Sequence, residues 1–451
     1  MNVQPLVSGL SLDDTLAWRP EGPVTVRAYL SGALCVAGSL PAGDWVLNMC
    51  ADRYHFAVVF AACLLTGKTS LQPASHSAET LDRLAHAYPG VFYVTDGDFE
   101  SHELPRFSYS DLAKGPAMPV DEIPSFDAHR VVAILFTSGS TGLPRPHGKT
   151  WGRLVMNGRA EAQALGLAGT GTALVGTVPV QHSYGFESTF LLALHGGCSF
   201  WSGKPFYPQD VVDALQAVPR PSMLVTTPHH LAALLASELD MPGMDMCLSA
   251  TAPLSGGLAA RAEERLGAPV HEIYGSTESS QLASRRTTEG AAWQLLPGVT
   301  LEQAPGFAGT ITHAVGGHVE GRVALSDIIE LLPNERFHLN GRHADMVDIA
   351  GKRTSLAYLN HQLCAIDGVQ DAAFFLPSHD AAETLTRLTA FVVAPGMSRS
   401  SLLTELRLRL DPVFLPRPLV WVDALPRNST GKLPRSALET LYQEQVHHGE
   451  R

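Results

Sequence analysis

Between Val131 and Gly275, strand-length apolar runs take strict turns with helix-length segments. VVAILF (131–136) reads as a buried strand, 148–165 as a helix, TALVGTV (172–178) as a strand and GFESTFLLAL (185–194) as a helix. SMLVTT (222–227), HHLAALLASEL (229–239), MCLSA (246–250), GGLAARAEERL (256–266) and VHEIYG (270–275) continue the alternation. Strand followed by helix in regular order predicts a parallel sheet covered by helices on both faces. The fold class is therefore α/β, with a doubly wound sheet whose carboxyl-edge loops are the natural place for a ligand.

Upstream, helices are expected over Val24–Gly38 and Arg53–Leu65 and strands over Trp45–Met49 and Val91–Val94, followed by a polar, proline-bearing surface connection from Gly97 to Arg130. After Thr287 the helices give way to Gly-rich, strand-length pieces that run to about Leu339. Beyond HLNGRHAD (338–345) a shorter α+β mixture begins: helix Leu356–Cys364, strands Val369–Phe375 and Leu388–Val393, helix Ser400–Leu410 and a last helix from Pro434. We expect one domain over 1–340, a second over 346–451 and a hinge at 341–345.

Composition narrows the class. At 45% hydrophobic and 17% charged residues, the 451-residue chain is neither disordered nor a long coiled coil. A formal charge of −12 disfavours nonspecific binding to nucleic acid or anionic lipid, so an anionic ligand needs a local site. The six cysteines are scattered without a CxxC pair, which fits a reducing cytoplasm. The longest apolar run, Phe56–Leu65, is about half of a membrane span, and no secretory signal is visible.

Directly after the strand at 131–136 comes FTSGSTGLPRP (136–146). Its run Thr137–Gly142 offers hydroxyls and approachable N–H groups suited to phosphate oxygens, although such a run by itself also makes a flexible surface loop. The overlapping GLPRPHGKT (142–150) is not a Walker loop, because five residues separate the glycines where four are required. EIYGSTES (272–279) ends the last regular strand and exposes Thr277 and Glu278 at the same sheet edge, where a carboxylate beside a triphosphate suits a hard divalent cation. PVQHSYGFE (179–187) places His182 and Tyr184 at a further strand end. Asp327 and Arg342 offer an acid and a base on either side of the expected boundary, and ALPRNSTGKLPRSAL (424–438) carries Lys432 in a Gly-containing loop.

In this order, over roughly residues 24–440, the strings resemble the adenylate-forming superfamily of acyl- and aryl-CoA synthetases, peptide-synthetase adenylation domains and luciferases. The resemblance implies a large domain of doubly wound sheets, a small mobile C-terminal domain, ATP and Mg2+ as cofactors, and a two-step reaction through an acyl-adenylate. It implies that Thr137, Ser138, Gly139, Ser140, Thr141 and Gly142 hold the β- and γ-phosphates, with Arg145 in the place of the usual lysine. Thr277 and Glu278 would meet the α-phosphate and Mg2+, Tyr274 and Gly275 the adenosine, Asp327 the ribose hydroxyls, with Arg342 assisting. Lys432 would bridge the substrate carboxylate and the α-phosphate, and Gly351 would line the thiol path.

Some positions depart from the pattern. Glu272 stands where an amide often faces adenine, and its carboxylate is expected to accept from the adenine amino group. Ala344 replaces the usual hinge acid, with Asp345 beside it, and the N-terminal region is shorter than in typical members. For the acid, His182, Tyr184, Gly185, Ala250 and Thr251 would border a pocket suited to a hydroxybenzoic or cinnamic acid. The short chain and IAGKRTSLAYLN (349–360) also resemble the small adenylating enzymes of aryl polyene and xanthomonadin-type pathways, which implies an acyl carrier protein as acceptor. An aryl- or medium-chain acyl-CoA ligase is the alternative, and a nucleotide-binding protein without turnover the alternative of another class.

Overall fold

Two large sheets position the candidate site. The computed structural model describes residues 2–73, 76–99, 104–138, 144–306, 309–342, 346–349, 352–377, 388–428 and 433–447. In the first sheet, strands Val131–Ser138, Thr69–Gln72, Trp45–Asn48, Phe92–Thr95 and Arg106–Ser108 are neighbours in that order and parallel. The second sheet has a parallel core, Val270–Ser276, Met246–Ser249, Ser222–Thr226, Ala173–Gly176, Ser199–Trp201 and Thr15–Arg19. Antiparallel strands Ser280–Arg286, Trp293–Leu295, Arg336–Arg342 and Asp327–Leu332 extend it on one side, and Gly22–Thr25 closes the other. Of the alternation read from the sequence, the strands from Ala173 to Ser276 form this parallel core, whereas the run at 131–136 belongs to the first sheet.

Helix Arg53–Thr66 explains the long apolar run at 56–65. Asp52 caps its start by accepting from the N–H groups of Tyr54 and His55, and Gly67 ends it in the left-handed conformation at φ 82°. Phe56 and Phe60 pack edge-on against Phe186 and Phe190 within the largest core cluster, with ring centroids 5.2–6.2 Å apart. No helix among the described residues is long and apolar enough to cross a membrane. At the head of the same helix, the buried Arg53 guanidinium donates to the carbonyls of Trp201, Gly203, Gly176 and Val178 over 2.8–3.2 Å. One cation thereby ties together the ends of two neighbouring strands of the second sheet.

Three expectations change. Residues 148–165 are not one helix: Pro144–Thr150 is a strand that returns antiparallel along Val131–Ser138, and the helix spans Trp151–Ala164. Pro144 and Pro146 lack a backbone N–H, and the return strand that carries them lies at the edge of its sheet, where proline is tolerated. The stretch 97–130 is more than a surface connection, since Arg106–Ser108 extends the first sheet and Ser125–Asp127 pairs with Val3–Pro5. The segment 185–194 contains a π-helical turn, Phe186–Leu191, between short α-helical pieces.

Strand Arg336–Arg342 belongs to the second sheet, whereas Met346–Ile349 pairs with Lys352–Ser355 in a separate two-stranded sheet. After it come helix Leu356–Cys364 and a three-stranded sheet of Asp371–Phe375, Thr389–Val393 and Leu419–Trp421, with helices Arg399–Arg409 and Arg435–Tyr442. These elements build their own core around Leu359, Leu363, Ala390, Val392, Leu402 and Leu406.

Candidate active site

The site grows from the hairpin Val131–Thr150. Side chains alternate across a strand, so Arg145, His147 and Lys149 share one face of the return strand. Their depth is graded: Arg145 is exposed, His147 half-buried and Lys149 only 2% exposed. His147 Nε2 lies 2.9 Å from the Thr137 hydroxyl and 3.8 Å from the Glu278 carboxylate. Burial pulls the His147 pKa below its ordinary value, with Glu278 opposing and Lys149 and Arg145 adding to the shift. Lys149 Nζ donates to the Ser280 hydroxyl at 3.0 Å and to the Glu278 main-chain carbonyl at 3.4 Å. The sequence reading passed over both His147 and Lys149, although basic residues at every second position of 145–149 were the available signal.

Facing this strand is the turn after Val270–Ser276. Ladder irregularity at Tyr274/Gly275 brings the backbone so close that a Cβ on Gly275 would sit 2.3 Å from the Ser280 carbonyl oxygen. Only glycine fits there. Ser280 itself takes φ 59°, the left-handed region that costs a non-glycine residue free energy. Glu278 is half-buried. Burial raises its pKa, but hydrogen bonds from its own N–H and from Ser276, together with His147 and Thr137, outweigh this and leave it lowered. An ionised carboxylate is thus held beside Thr137.

Tyr274 continues the site towards the sheet extension. Its hydroxyl donates to Asp327 Oδ2 at 2.8 Å, and its ring packs against Phe337 and Trp293 at 5.8 and 5.7 Å. Asp327 and Arg342, expected on either side of a boundary, are instead opposite partners on paired strands of one sheet.

Two expected roles are corrected. Glu272 is 3% exposed, and its carboxylate is occupied inside the chain: it accepts from the Arg285 guanidinium at 2.7 Å, the Thr287 hydroxyl at 2.6 Å and the Leu254 N–H at 3.0 Å. Arg285 in turn stacks over Trp293 at 4.4 Å. A carboxylate so engaged is an internal ion pair rather than an acceptor waiting for adenine. Tyr184 is also satisfied internally, donating to the Leu248 carbonyl at 2.9 Å within the core. It braces the second sheet and has no hydroxyl hydrogen left for a phenol.

His182 stays at the site. With Thr277, Gln72, Leu135, Phe136, Gln181 and Ser183 it lines a cavity of about 20 Å³, room for about one water-sized group. Gln72 is 2% exposed, and neither atom of its amide has a hydrogen-bond partner among the described residues. Nearby glycine and threonine positions have local reasons. A Cβ on Gly185 would strike the Pro179 carbonyl at 2.0 Å, and Thr251, next to the buried Ala250, takes the strained φ of 78°. Gly139, Ser140, Thr141, Gly142, Ala344, Gly351 and Lys432 lie outside the described residues, as do the side chains of Ser138 and Arg342.

The family profile described as "AMP-binding enzyme" matches residues 40–315, which takes in the first sheet, most of the parallel core of the second, the hairpin and the turn. The chain belongs to the AMP-binding enzyme family. This AMP-binding enzyme is 28% identical over 310 residues to a 4-coumarate–CoA ligase of Rhodobacter capsulatus, covering 66% of this chain and 74% of that one. It is 25% identical over 389 residues to a 4-chlorobenzoate–CoA ligase of Arthrobacter sp., covering 76% and 73%. Its fold matches ATP-bound MatB of Rhodopseudomonas palustris with a TM-score of 0.83 at 20% identity, over 96% of this chain and 97% of the other. The adenylate-forming fold and an AMP-forming acid–thiol ligase, both expected from the motifs, hold.

Among the described residues no group of three or more His, Cys, Asp or Glu side chains is placed to hold a metal ion. Mg2+ is usually bound through one or two carboxylates and substrate phosphates rather than by an all-protein cage. The ionised Glu278 beside the Val131–Thr150 hairpin fits such a role.

Proposed function

We propose that the chain is an ATP-dependent aryl-acid–CoA ligase. The observation that carries the reading is the position of His147, within 2.9 Å of Thr137 and 3.8 Å of Glu278, because it joins the phosphate hairpin to the acidic turn in one site. In the first step the substrate carboxylate oxygen attacks the α-phosphorus of ATP, the bond to the bridging oxygen breaks, and pyrophosphate leaves. In the second a thiolate attacks the acyl carbonyl and AMP leaves. The substrate is itself the nucleophile, so the chain contributes positioning and charge neutralisation.

Residues 137–142 and Arg145 hold the β- and γ-phosphates. Tyr274 flanks the adenosine and keeps Asp327 oriented for the ribose hydroxyls. Thr277 and Glu278 meet the α-phosphate and Mg2+, which when bound neutralises phosphate charge. Lys432 bridges carboxylate and α-phosphate, and Gly351 lines the thiol path after the 346–451 domain turns about 341–345. The acceptor favoured is CoA rather than the carrier protein expected from the sequence, since the relatives reported above are named as CoA ligases.

An aryl acid is supported by the same names, and a hydroxylated one by Gln72. A neutral amide with an unpaired donor and an unpaired acceptor is satisfied by a hydroxyl, which offers both, and not by a methyl or chloro group. ATP–pyrophosphate exchange over a panel of acids, followed by thioester formation with CoA, tests the reading. Exchange with 4-hydroxybenzoate or 4-coumarate above octanoate supports it, and a preference for octanoate overturns the choice of acid.

A further inference from the structure

The basic face of the hairpin continues past His147 into the interior, and its last member has no place in the roles assigned so far. Lys149 is a buried cation with two hydrogen-bond partners, the Ser280 hydroxyl and the Glu278 carbonyl, both belonging to the turn of the neighbouring sheet. Burial pulls the Lys149 pKa below its ordinary value, opposed by the carboxylates of Glu187, Glu320 and Glu278, in that order. Each is itself fixed or framed by the surrounding elements: Glu320 accepts from the N–H and hydroxyl of Thr150, and Glu187 from the Ser183 hydroxyl. A lysine held this deep by two hydrogen bonds loses several rotamers, and those bonds restrain a backbone that is strained at Ser280. Within the turn, the bonds from Ser276 to Ser279 at 3.1 Å and from Ser279 to the Ser280 carbonyl at 2.9 Å are local, and the other link to the hairpin runs through the Glu278 carboxylate itself, 3.8 Å from His147 Nε2.

We propose that Lys149 is the positioning residue of the Thr277–Glu278 turn, fastening that turn to the phosphate hairpin so that Thr137, His147 and the Glu278 carboxylate reach MgATP in a fixed register. The proposal rests on the adenylate-forming reading above. Lysine suits the task because its ammonium offers three donors on a flexible stem, enough for a hydroxyl and a carbonyl at once. Without it, Ser280 has less to hold it at positive φ, and Glu278 loses its place relative to the β- and γ-phosphates.

The test uses Lys149→Met, which keeps the stem length and removes the donors, and Lys149→Arg, which keeps the charge. Binding of the β,γ-methylene analogue of ATP is measured by calorimetry with and without Mg2+, beside thermal unfolding, the Mg2+ titration of pyrophosphate exchange, and KM and kcat. In Lys149→Met the Mg2+-dependent binding of the analogue should weaken by about tenfold to a hundredfold, the scale of a lost charged hydrogen bond. Mg2+-free binding and the KM for the acid should change far less, the Mg2+ half-saturation point should rise, and Lys149→Arg should recover part of the loss. If Lys149→Met does not fold, Ser280→Ala removes one of the two anchors and should move the same quantities in the same direction by a smaller amount. Folded Lys149→Met, or Ser280→Ala in its stead, with wild-type affinity for the analogue in the presence of Mg2+ overturns the proposal and leaves Lys149 a packing residue. Wild-type protein that binds no analogue and exchanges no pyrophosphate with any acid overturns the underlying reading, and this proposal with it.

Discussion

The Tyr274 hydroxyl donates to the Asp327 carboxylate across 2.8 Å, although the two residues lie on strands separated by three others in the same sheet. The bond fixes the orientation of the Asp327 carboxylate. Tyr274→Phe should therefore raise the KM for ATP about tenfold, the weight of a hydrogen bond to a charged group, with kcat little altered. Steady-state exchange kinetics check this, and a purely kcat effect would place the pair elsewhere in the reaction.

Glu272 and Arg285 form a buried ion pair, and removing one partner strands the other. Glu272→Ala should cost about 3–5 kcal/mol of stability. The preference for ATP over GTP should be kept, because the carboxylate faces Arg285, Thr287 and the Leu254 N–H rather than the base. Denaturant unfolding and competition between nucleotides measure the two effects separately.

Glu161 sits fully buried on helix Trp151–Ala164, and burial, with the nearby Glu187 charge adding to it, pushes its pKa up from 4.5 to about 8. In that window the unfolded chain has released the proton and the folded chain retains it. The folded state binds more protons, so stability falls as pH rises through the window. Glu161→Gln stays neutral throughout and should melt several degrees above wild type near pH 8 and close to it near pH 5. Parallel melting curves at both pH values would show that Glu161 is ionised in the folded protein.

Gln72→Leu should erase the advantage of 4-hydroxybenzoate over benzoate, by roughly tenfold in kcat/KM, while sparing benzoate itself. An unchanged ratio would move the hydroxyl subsite away from Gln72.

Lys432→Ala should lose roughly a hundredfold or more in pyrophosphate exchange, the cost of one preorganised charge-stabilising donor, yet keep thioester formation from a presynthesised acyl-adenylate. Gly351→Leu should show the complementary defect. Equal loss of both half-reactions in each folded variant would rule out alternation of the small domain.

What the sequence made legible follows from the range of each signal. The parallel core and the motif strings are local: a strand's apolar run and a Ser/Thr/Gly loop need no partner to be read. The partner of Glu272, Arg285, is supplied by the neighbouring strand, and register between strands is not written in either segment alone, while the Leu248 carbonyl reaches Tyr184 only through the packing of a short helical piece on the sheet. The return strand 144–150 is not legible from its own residues, because a strand with prolines is tolerated only where it lies at a sheet edge. Lys149 was hidden with it, since its burial is a property of the hairpin's pairing with Val131–Ser138 and of the turn that lies opposite.

That hairpin has a consequence for how the chain tolerates change in length. Arg145, His147 and Lys149 share a face only because an odd residue count separates each from the next. Deleting Gly148 alone would shift Lys149 to the opposite parity, turn its ammonium to the other side of the strand and leave the Glu278 carbonyl and Ser280 hydroxyl facing a different side chain. Removing two residues would preserve parity while drawing the set closer to the loop. Across homologous or engineered chains, length variation in this strand should therefore be accepted in pairs and rejected singly.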